Sequence, residues 1–156
     1  MNFQTALAVE YRLLDLLGKD SREHQTAREL ALHLGGMTTG LFAEMVDSSR
    51  ILGAFCERPN FGRKIGGIAV YNFPSPKECH LQLLSVTETL RTHGIGTVLL
   101  EKVEADARRR GVQFVTATPD SLPEQTEHDP KLVAFFEARG FTMTDQNLLI
   151  KPIITS

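Results

Sequence analysis

The chain has 156 residues, of which 42% are hydrophobic and 23% are charged, and its formal net charge at pH 7 is -2. This length suits one domain with a substantial buried core, so we expect a single domain over residues 1–156. The acidic balance argues against a nucleic-acid partner, and no apolar run approaches the ~20 residues that cross a membrane. Cys56 and Cys79 have no metal-ligand spacing, and residues 1–4 lack the basic start of a secretory signal. We therefore expect a cytoplasmic protein without a metal ion, a disulfide framework or a membrane partner.

The first third of the chain predicts one strand followed by two helices. Apolar residues alternate over residues 7–13, which favours a strand, although the leucines that continue to Leu17 leave a helix open. A capped helix over residues 20–34 follows, ended by a glycine pair. A short second helix is expected over residues 38–46.

The rest of the chain predicts three strands, a helix, a strand, a second helix and one or two final strands. A turn-rich segment joins the first two of these strands as a hairpin. The last helix begins at Pro130, after the cap residue Asp129, and ends at Gly140. This order indicates a mixed α/β fold. The predicted strands cover residues 50–56, 64–73, 78–86, 112–118 and 148–153, and the helix between them covers residues 96–110.

Two glycines stand between the strand over residues 78–86 and the helix that follows it. Gly94 and Gly96 permit a tight turn and a close approach by a phosphate, and the amides of a helix start attract an anion. Arg91 could add a side-chain contact. The turn lacks the third glycine of the Rossmann pattern, because Leu99 stands there, and it lacks the Gly-Lys-Ser/Thr triplet of Walker sites. The expected ligand of this turn is therefore a diphosphate, although the turn matches neither of these nucleotide-binding patterns.

Two longer segments carry a resemblance to a known family. Residues 84–100, LSVTETLRTHGIGTVLL, resemble the central motif of the GNAT superfamily of N-acyltransferases, in which a strand ending in Leu-x-Val precedes Arg/Gln-x-x-Gly-x-Gly/Ala. Residues 132–141, LVAFFEARGF, resemble the family's fourth-helix motif, which ends in Gly-Phe. The resemblance implies a GNAT-like fold, with a mixed, mostly antiparallel sheet of six to seven strands. That sheet is splayed between strands 4 and 5 and flanked by about four helices.

The same resemblance implies an N-acetyltransferase in which a primary amine, on a small molecule or a protein, attacks the thioester of acetyl-CoA directly. This co-substrate would lie in the splay, with its pantetheine along strand 4, its pyrophosphate on the turn and its thioester carbonyl near the amide of Val86. A non-catalytic acyl-CoA-binding sensor or interaction module is the alternative. The residues expected to bind the coenzyme are Leu84, Ser85, Val86, Arg91, Thr92, His93, Gly94, Ile95, Gly96, Thr97, Asp129 and Phe136.

Catalytic groups are marked less clearly than the coenzyme site. Phe136 stands where many family members have a tyrosine that reprotonates the thiolate, and a phenyl ring has no proton to donate. His80 is the expected base, because some members carry a catalytic glutamate at this point of strand 4 and histidine titrates near neutral pH. Glu78 is a second candidate. In a regular strand both would share one face with Leu84 and Val86.

Several single residues and segments allow more than one interpretation. Tyr71 is an alternative acid, although a half-buried strand tyrosine usually packs. Cys79 would point away from His80 and forms no nucleophilic dyad. The acidic loop over residues 119–129 is either a solvated loop or a lip that attracts a cationic amine. An exposed last strand would offer an edge to a second copy, so a homodimer is one expectation.

Overall fold

The structure, a computed structural model, describes residues 8–13, 50–58, 62–86, 90, 93–118 and 130–153. The predicted helices over residues 20–34 and 38–46 and the predicted acidic loop lie outside this part of the chain. Seven strands and two helices occur within it. They are β1 (Ala8–Leu13), β2 (Arg50–Arg58), β3 (Gly62–Ser75), β4 (Glu78–Val86), α1 (Ile95–Arg109), β5 (Phe114–Ala117), α2 (Pro130–Glu137), β6 (Thr142–Met143) and β7 (Leu149–Pro152).

The strands form one mixed sheet in the order β1-β2-β3-β4-β5-β7-β6. β4 and β5 run parallel, and every other neighbouring pair is antiparallel. The first element is a strand rather than the helix that the leucine run left open. These observations confirm the predicted mixed α/β fold with a mostly antiparallel sheet.

The fourth and fifth strands are paired over only part of their length. Their ladder joins Glu78 to Phe114 at one end and Leu81 to Ala117 at the other. β5 ends at Ala117, so residues 82–86 of β4 lie beyond the last pair. The sheet is therefore splayed between strands 4 and 5, as the resemblance implied.

A bulge interrupts β4 at the same level as the end of this ladder. Leu81 lies opposite Tyr71 of β3, but Leu83 lies opposite the preceding residue of β3, Val70. β4 therefore carries one residue more than β3 at this point, Gln82. A bulge of this kind reverses the side-chain alternation of the strand beyond it.

The reversal overturns one prediction about the catalytic strand. Leu84 lies opposite Ala69, so it shares the face of Leu81, and both contact the apolar cluster under α1. His80 alternates with Leu81 and points to the other face. The expectation that His80 shares a face with Leu84 and Val86 is wrong, because the extra residue lies between them.

α1 covers one face of the sheet with a continuous apolar side. Ile95, Leu99, Val103 and Ala107 recur every four residues and are at most 1% exposed. Gly67 of β3 lies beneath them, and a Cβ atom there would come within 3.0 Å of Ile95 Cγ2. The absent side chain lets the helix approach the sheet next to the splay. Each fully buried aliphatic side chain contributes about 1.5–3 kcal/mol, so this row holds α1 firmly.

α2 packs on the same face through aromatic side chains. Phe136 is 2% exposed, and its ring meets those of Phe135 and Phe141 edge to face, with centroids 5.4 and 5.0 Å apart. Gly140 has a φ of 96°, a left-handed conformation that favours glycine, and it stands where the chain leaves the helix. The start at Pro130 agrees with the predicted start. Neither helix in the described part of the chain has the length and apolarity to span a bilayer.

The last strand is interior, which removes the argument offered for a dimer. β7 pairs with β5 on one side and with β6 on the other. Asn147, with a φ of 60°, lies in the turn that folds β7 back against β6. The prediction of an exposed last strand is therefore wrong, and the edge on this side is the two-residue β6.

Candidate active site

The glycine turn after β4 forms the start of α1. Gly94 is the N-cap residue, with φ 74° and ψ 11°, and no side chain of the described residues caps the helix. In the first turn of the helix, Val98 N donates to Gly94 O at 3.2 Å. The amides of Ile95, Gly96 and Thr97 precede it and belong to the orphan donors of a helix start. No acidic residue lies in the first turn, so the helix dipole is available to an anion.

The structure brings only part of the predicted coenzyme set together. Leu84, Ser85 and Val86 end β4, and His93 is an exposed residue just before the glycine. Arg91, Thr92 and Asp129 lie outside the described residues. A Cβ atom at Gly96 would lie 3.4 Å from Phe135 Cζ and 3.6 Å from Val86 Cγ2, which are ordinary contacts. Packing therefore permits a side chain at position 96, although that side chain would narrow the space between β4 and α2.

Arg139 is a residue at this site that the sequence reasoning did not select. Its Nε and Nη2 atoms donate to Thr97 Oγ1 at 3.0 and 2.6 Å, and its Nη1 donates to the Phe135 carbonyl at 2.8 Å. The guanidinium lies over the Phe135 ring, 3.7 Å from its centroid. It links α2 to the first turn of α1 and adds a positive charge there.

A cleft opens where β4 and β5 separate. The ring of Phe136 lines this cleft and also packs in the core, and the side chain has no group that can donate a proton. The predicted coenzyme residue Leu84 also lines the cleft. Among the described residues, the cleft is lined by Leu81, Gln82, Leu83, Leu84, Thr118, Leu132 and Phe136.

Both predicted catalytic residues meet on the other face of the sheet, next to the end of the ladder. His80 Nδ1 lies 2.7 Å from Thr116 Oγ1, and the Thr116 hydroxyl donates to Glu78 Oε2 at 2.6 Å. His80 and Thr116 are opposite each other in the parallel pair. Burial lowers the pKa of His80, and the charge of Glu78 opposes that effect in part. A histidine neutral at physiological pH can accept a proton.

Thr116 joins this group across 36 positions of sequence. It is 2% exposed, and the sequence signal that could have identified it is a hydroxyl in an otherwise apolar strand. Asn72 lies opposite His80 in β3, and its Oδ1 atom is buried with no hydrogen-bond partner in the described part of the chain. A hydrogen-bond acceptor, Asn72 Oδ1, therefore remains available beside His80.

Two other side chains considered from the sequence are committed elsewhere. Burial raises the pKa of the Cys79 thiol to about 12, with smaller contributions from neighbouring charges, so the thiolate is not accessible at neutral pH. The Tyr71 hydroxyl donates to Asp106 Oδ2 at 2.8 Å, and burial with this hydrogen bond raises its pKa. Both side chains lie on the α1 face, away from His80.

The structure thus combines a sheet split between β4 and β5 with a helix start that carries no acidic residue, as the resemblance implied. Residues 12–141 match the Acetyltransferase (GNAT) family, and the chain belongs to that family. This assignment confirms the resemblance carried by the glycine turn and the Gly-Phe helix.

Solved structures share the fold at low sequence identity. GCN5 from Tetrahymena is 12% identical, with a TM-score of 0.67 over 94% of this chain and 98% of its own. A GNAT family acetyltransferase from Elizabethkingia anophelis with acetyl-CoA bound is 16% identical, with a TM-score of 0.65 over 95% and 99%. Ard1 from Thermoplasma volcanium is 16% identical, with a TM-score of 0.64 over 94% and 99%. No curated protein sequence matches the chain.

Proposed function

We propose that this chain is an N-acetyltransferase that transfers the acetyl group of acetyl-CoA to a primary amine by direct attack. The observation that carries the proposal is the arrangement along β4. An anion-binding helix start follows one end of this strand, and a neutral, half-buried His80 lies near the point where the strand parts from β5. A diphosphate-bearing acyl donor can be held at the first point while a proton is taken up at the second.

The donor would enter between β4 and α2. Its diphosphate would accept hydrogen bonds from the first amides of α1, at Ile95, Gly96 and Thr97. Its pantetheine arm would follow residues 82–86, beyond the ladder with β5, in the manner of an added strand. The Elizabethkingia relative that contains acetyl-CoA supports this choice of donor.

Because of the position of His80, we propose a location for the thioester that differs from the one expected from the sequence. Six residues separate His80 from Val86, which amounts to about 20 Å of extended chain. A thioester at the Val86 amide would therefore lie too far from His80 for direct proton transfer. We place the thioester carbonyl instead at the apex of the cleft, where amides of the bulged segment around Gln82 and Leu83 can polarise it.

The reaction then needs two proton movements. His80 Nε2 accepts a proton from the substrate ammonium, which leaves a neutral amine to attack the carbonyl carbon. The tetrahedral intermediate collapses as the C–S bond breaks, and the nitrogen loses its second proton as the amide forms. Because Phe136 has no proton to donate, water carries that proton to the coenzyme A thiolate. His80 returns its own proton to solvent.

The second candidate function is a non-catalytic acyl-CoA-binding module. The burial of Phe136 in an aromatic cluster favours it, because the usual proton donor of the family is replaced by a core residue. This candidate predicts the same donor site and no use for His80.

Turnover separates the two functions. Acetyl-CoA is mixed with the protein and a panel of small primary amines and peptides with free N-termini or lysines, and a thiol-reactive dye reports free coenzyme A. The acetyltransferase predicts amine-dependent thiol release that His80→Gln reduces strongly. Tight calorimetric binding of acetyl-CoA with no release across the panel would instead support the binding module.

A matched glycine pair tests the donor site without chemistry. Gly94 and Gly111 both have φ 74°, and a Cβ atom at either would meet nothing within 4 Å. An alanine at either position costs about 1–2 kcal/mol of backbone strain. Gly94→Ala should weaken acetyl-CoA binding in calorimetry, whereas Gly111→Ala, at the other end of α1, should leave it unchanged. Equal affinity in both variants would contradict a donor site at this turn.

A further inference from the structure

We propose that Thr116 is a positioning residue that fixes the tautomer of His80, accepting the imidazole Nδ1–H while donating its own proton to Glu78, so that the basic lone pair lies on Nε2. This inference deepens the proposed function, on which its kinetic consequence rests. The tautomer itself does not depend on turnover.

The argument begins with the number of protons. A threonine hydroxyl has one proton and two lone pairs, and an ionised carboxylate only accepts. The oxygen atoms of Thr116 and Glu78 are 2.6 Å apart, a separation that requires a proton between them. The hydroxyl proton is therefore used on Glu78.

The second contact then has a single assignment. Thr116 Oγ1 is 2.7 Å from His80 Nδ1 and has no proton left to give. The hydrogen bond must run from Nδ1–H to the hydroxyl oxygen. In a neutral imidazole one nitrogen carries the proton and the other accepts, so Nε2 is left as the base.

The surrounding structure keeps this arrangement in place. Thr116 is almost fully buried and β-branched, which restricts its χ1 rotation. His80 and Thr116 face each other in the parallel ladder, next to its last pair. In the described part of the chain, His80 Nε2 has no hydrogen-bond partner. Glu78 anchors the hydroxyl through a charge-assisted bond and lies farther from the cleft than His80, so it acts on His80 rather than on substrate.

A spectroscopic test reads the tautomer directly. Long-range ¹⁵N–¹H correlation spectra of uniformly ¹⁵N-labelled protein distinguish protonated from bare imidazole nitrogens, and His80→Gln identifies the His80 signals among the five histidines. Above its pKa, His80 should show a protonated Nδ1 in the wild type and in Thr116→Ser, which keeps the hydroxyl. Thr116→Val should show the Nε2–H form or a mixture. A wild-type spectrum with a protonated Nε2 overturns the proposal.

Kinetics supply the readout that a merely structural role would not move. Loss of one positioning hydrogen bond should lower kcat in Thr116→Val roughly 10-fold, leave KM for acetyl-CoA unchanged and be restored in Thr116→Ser. Thr142→Val, an exposed threonine of β6, is the matched control and should behave as wild type. A folded Thr116→Val variant with the kcat of the wild type overturns the proposal. A Thr116→Ser variant with a kcat as low as that of Thr116→Val also overturns it.

The two proposals fail in different ways. A wild type with Nδ1–H on His80 but no turnover would contradict the acetyltransferase and leave the Thr116 assignment standing. Normal turnover with a protonated Nε2 would do the reverse. If Thr116→Val does not fold, the wild-type and Thr116→Ser spectra still decide the tautomer.

Discussion

Two carboxylates, the buried Asp106 and the half-buried Glu78, lie on opposite faces of the sheet, and their surroundings differ. On the α1 face, Asp106 is 5% exposed and accepts the Tyr71 hydroxyl. Arg50, Arg109 and Arg110 also contact its oxygen atoms, at 3.2, 3.2 and 3.5 Å. Burial alone would raise the pKa of Asp106, but the Tyr71 hydrogen bond and the three guanidinium charges together lower it.

On the other face, Glu78 accepts a hydrogen bond from the Thr116 hydroxyl, and the same hydroxyl contacts His80 Nδ1. In the described part of the chain, no cation lies within ion-pair distance of Glu78. Asn72 Oδ1 is buried without a hydrogen-bond partner there, and the contact of His80 with Thr116 uses Nδ1 rather than Nε2. In the Asp106 cluster the polar groups bond to one another and hold β2, β3 and α1 together. In the Glu78 group, by contrast, some polar atoms remain available to a substrate.

The largest effect expected on this comparison comes from Asp106→Ala. The substitution takes the buried acceptor away from the Tyr71 hydroxyl and the Arg50 guanidinium, and we expect the free energy of unfolding to fall by about 3 kcal/mol. Urea unfolding measures this loss. Asp145→Ala, in the exposed β6–β7 turn, is the control and should change little. Wild-type stability in Asp106→Ala would remove the distinction between the two faces.

His80→Gln should show the opposite pattern. Loss of a general base typically lowers kcat about 100-fold, and the side chain of glutamine remains compatible with a half-buried position. We expect kcat to fall on this scale while acetyl-CoA affinity and the melting temperature stay near those of the wild type. A collapse of stability with no specific loss of kcat would place His80 among the structural residues.

Acid should destabilise the two faces in separate pH windows. The lowered pKa of Asp106 gives stability that is present above the ordinary value of 3.8 and is lost as pH falls through the folded value below it. The lowered pKa of His80 means that the unfolded chain takes up a proton first, so stability declines as pH falls below 6.5. Urea unfolding from pH 8 to 3 should show both declines, and His80→Gln should remove only the upper one.

Tyr71→Phe should have the smallest of these effects. It deletes one hydrogen bond to Asp106 and leaves the arginines in place, so we expect about 1 kcal/mol of lost stability. Turnover should not change, because the hydroxyl lies on the α1 face. A large fall in kcat with unchanged stability would instead return Tyr71 to the list of candidate acids.

Much of the scaffold could be predicted from the sequence because it depends on local signals. Polar and apolar residues alternate from Glu78 to Leu83, and Gly94 separates that strand from a helix with regular apolar spacing. The glycine turn, the helix boundaries and the order of elements follow from patterns a few residues long.

The parts that could not be predicted depend on pairing between distant segments. The bulge at Gln82 is a property of the register between β3 and β4, and its one trace in the sequence is the adjacent pair Leu83 and Leu84, where the apolar alternation shifts by one residue. Thr116 reaches His80 only because β5 pairs parallel to β4 in one register. The edge position of β6 likewise depends on pairing, because β7 lies between β5 and β6, and the composition of these short strands does not indicate that order.

The splay also divides the molecule into two pieces with a seam between them. β1 to β4 with α1 form one piece, and β5 to β7 with α2 form the other. The apolar cluster under α1 continues from one piece to the other. A short ladder ending at Leu81, the Lys151–Glu104 ion pair and Arg139, which reaches from the end of α2 to Thr97, also join them. A molecule lodged in the seam touches both pieces, so its binding free energy adds to their cohesion. Donor affinity can therefore be measured as a rise in melting temperature with donor concentration, before any bond is broken.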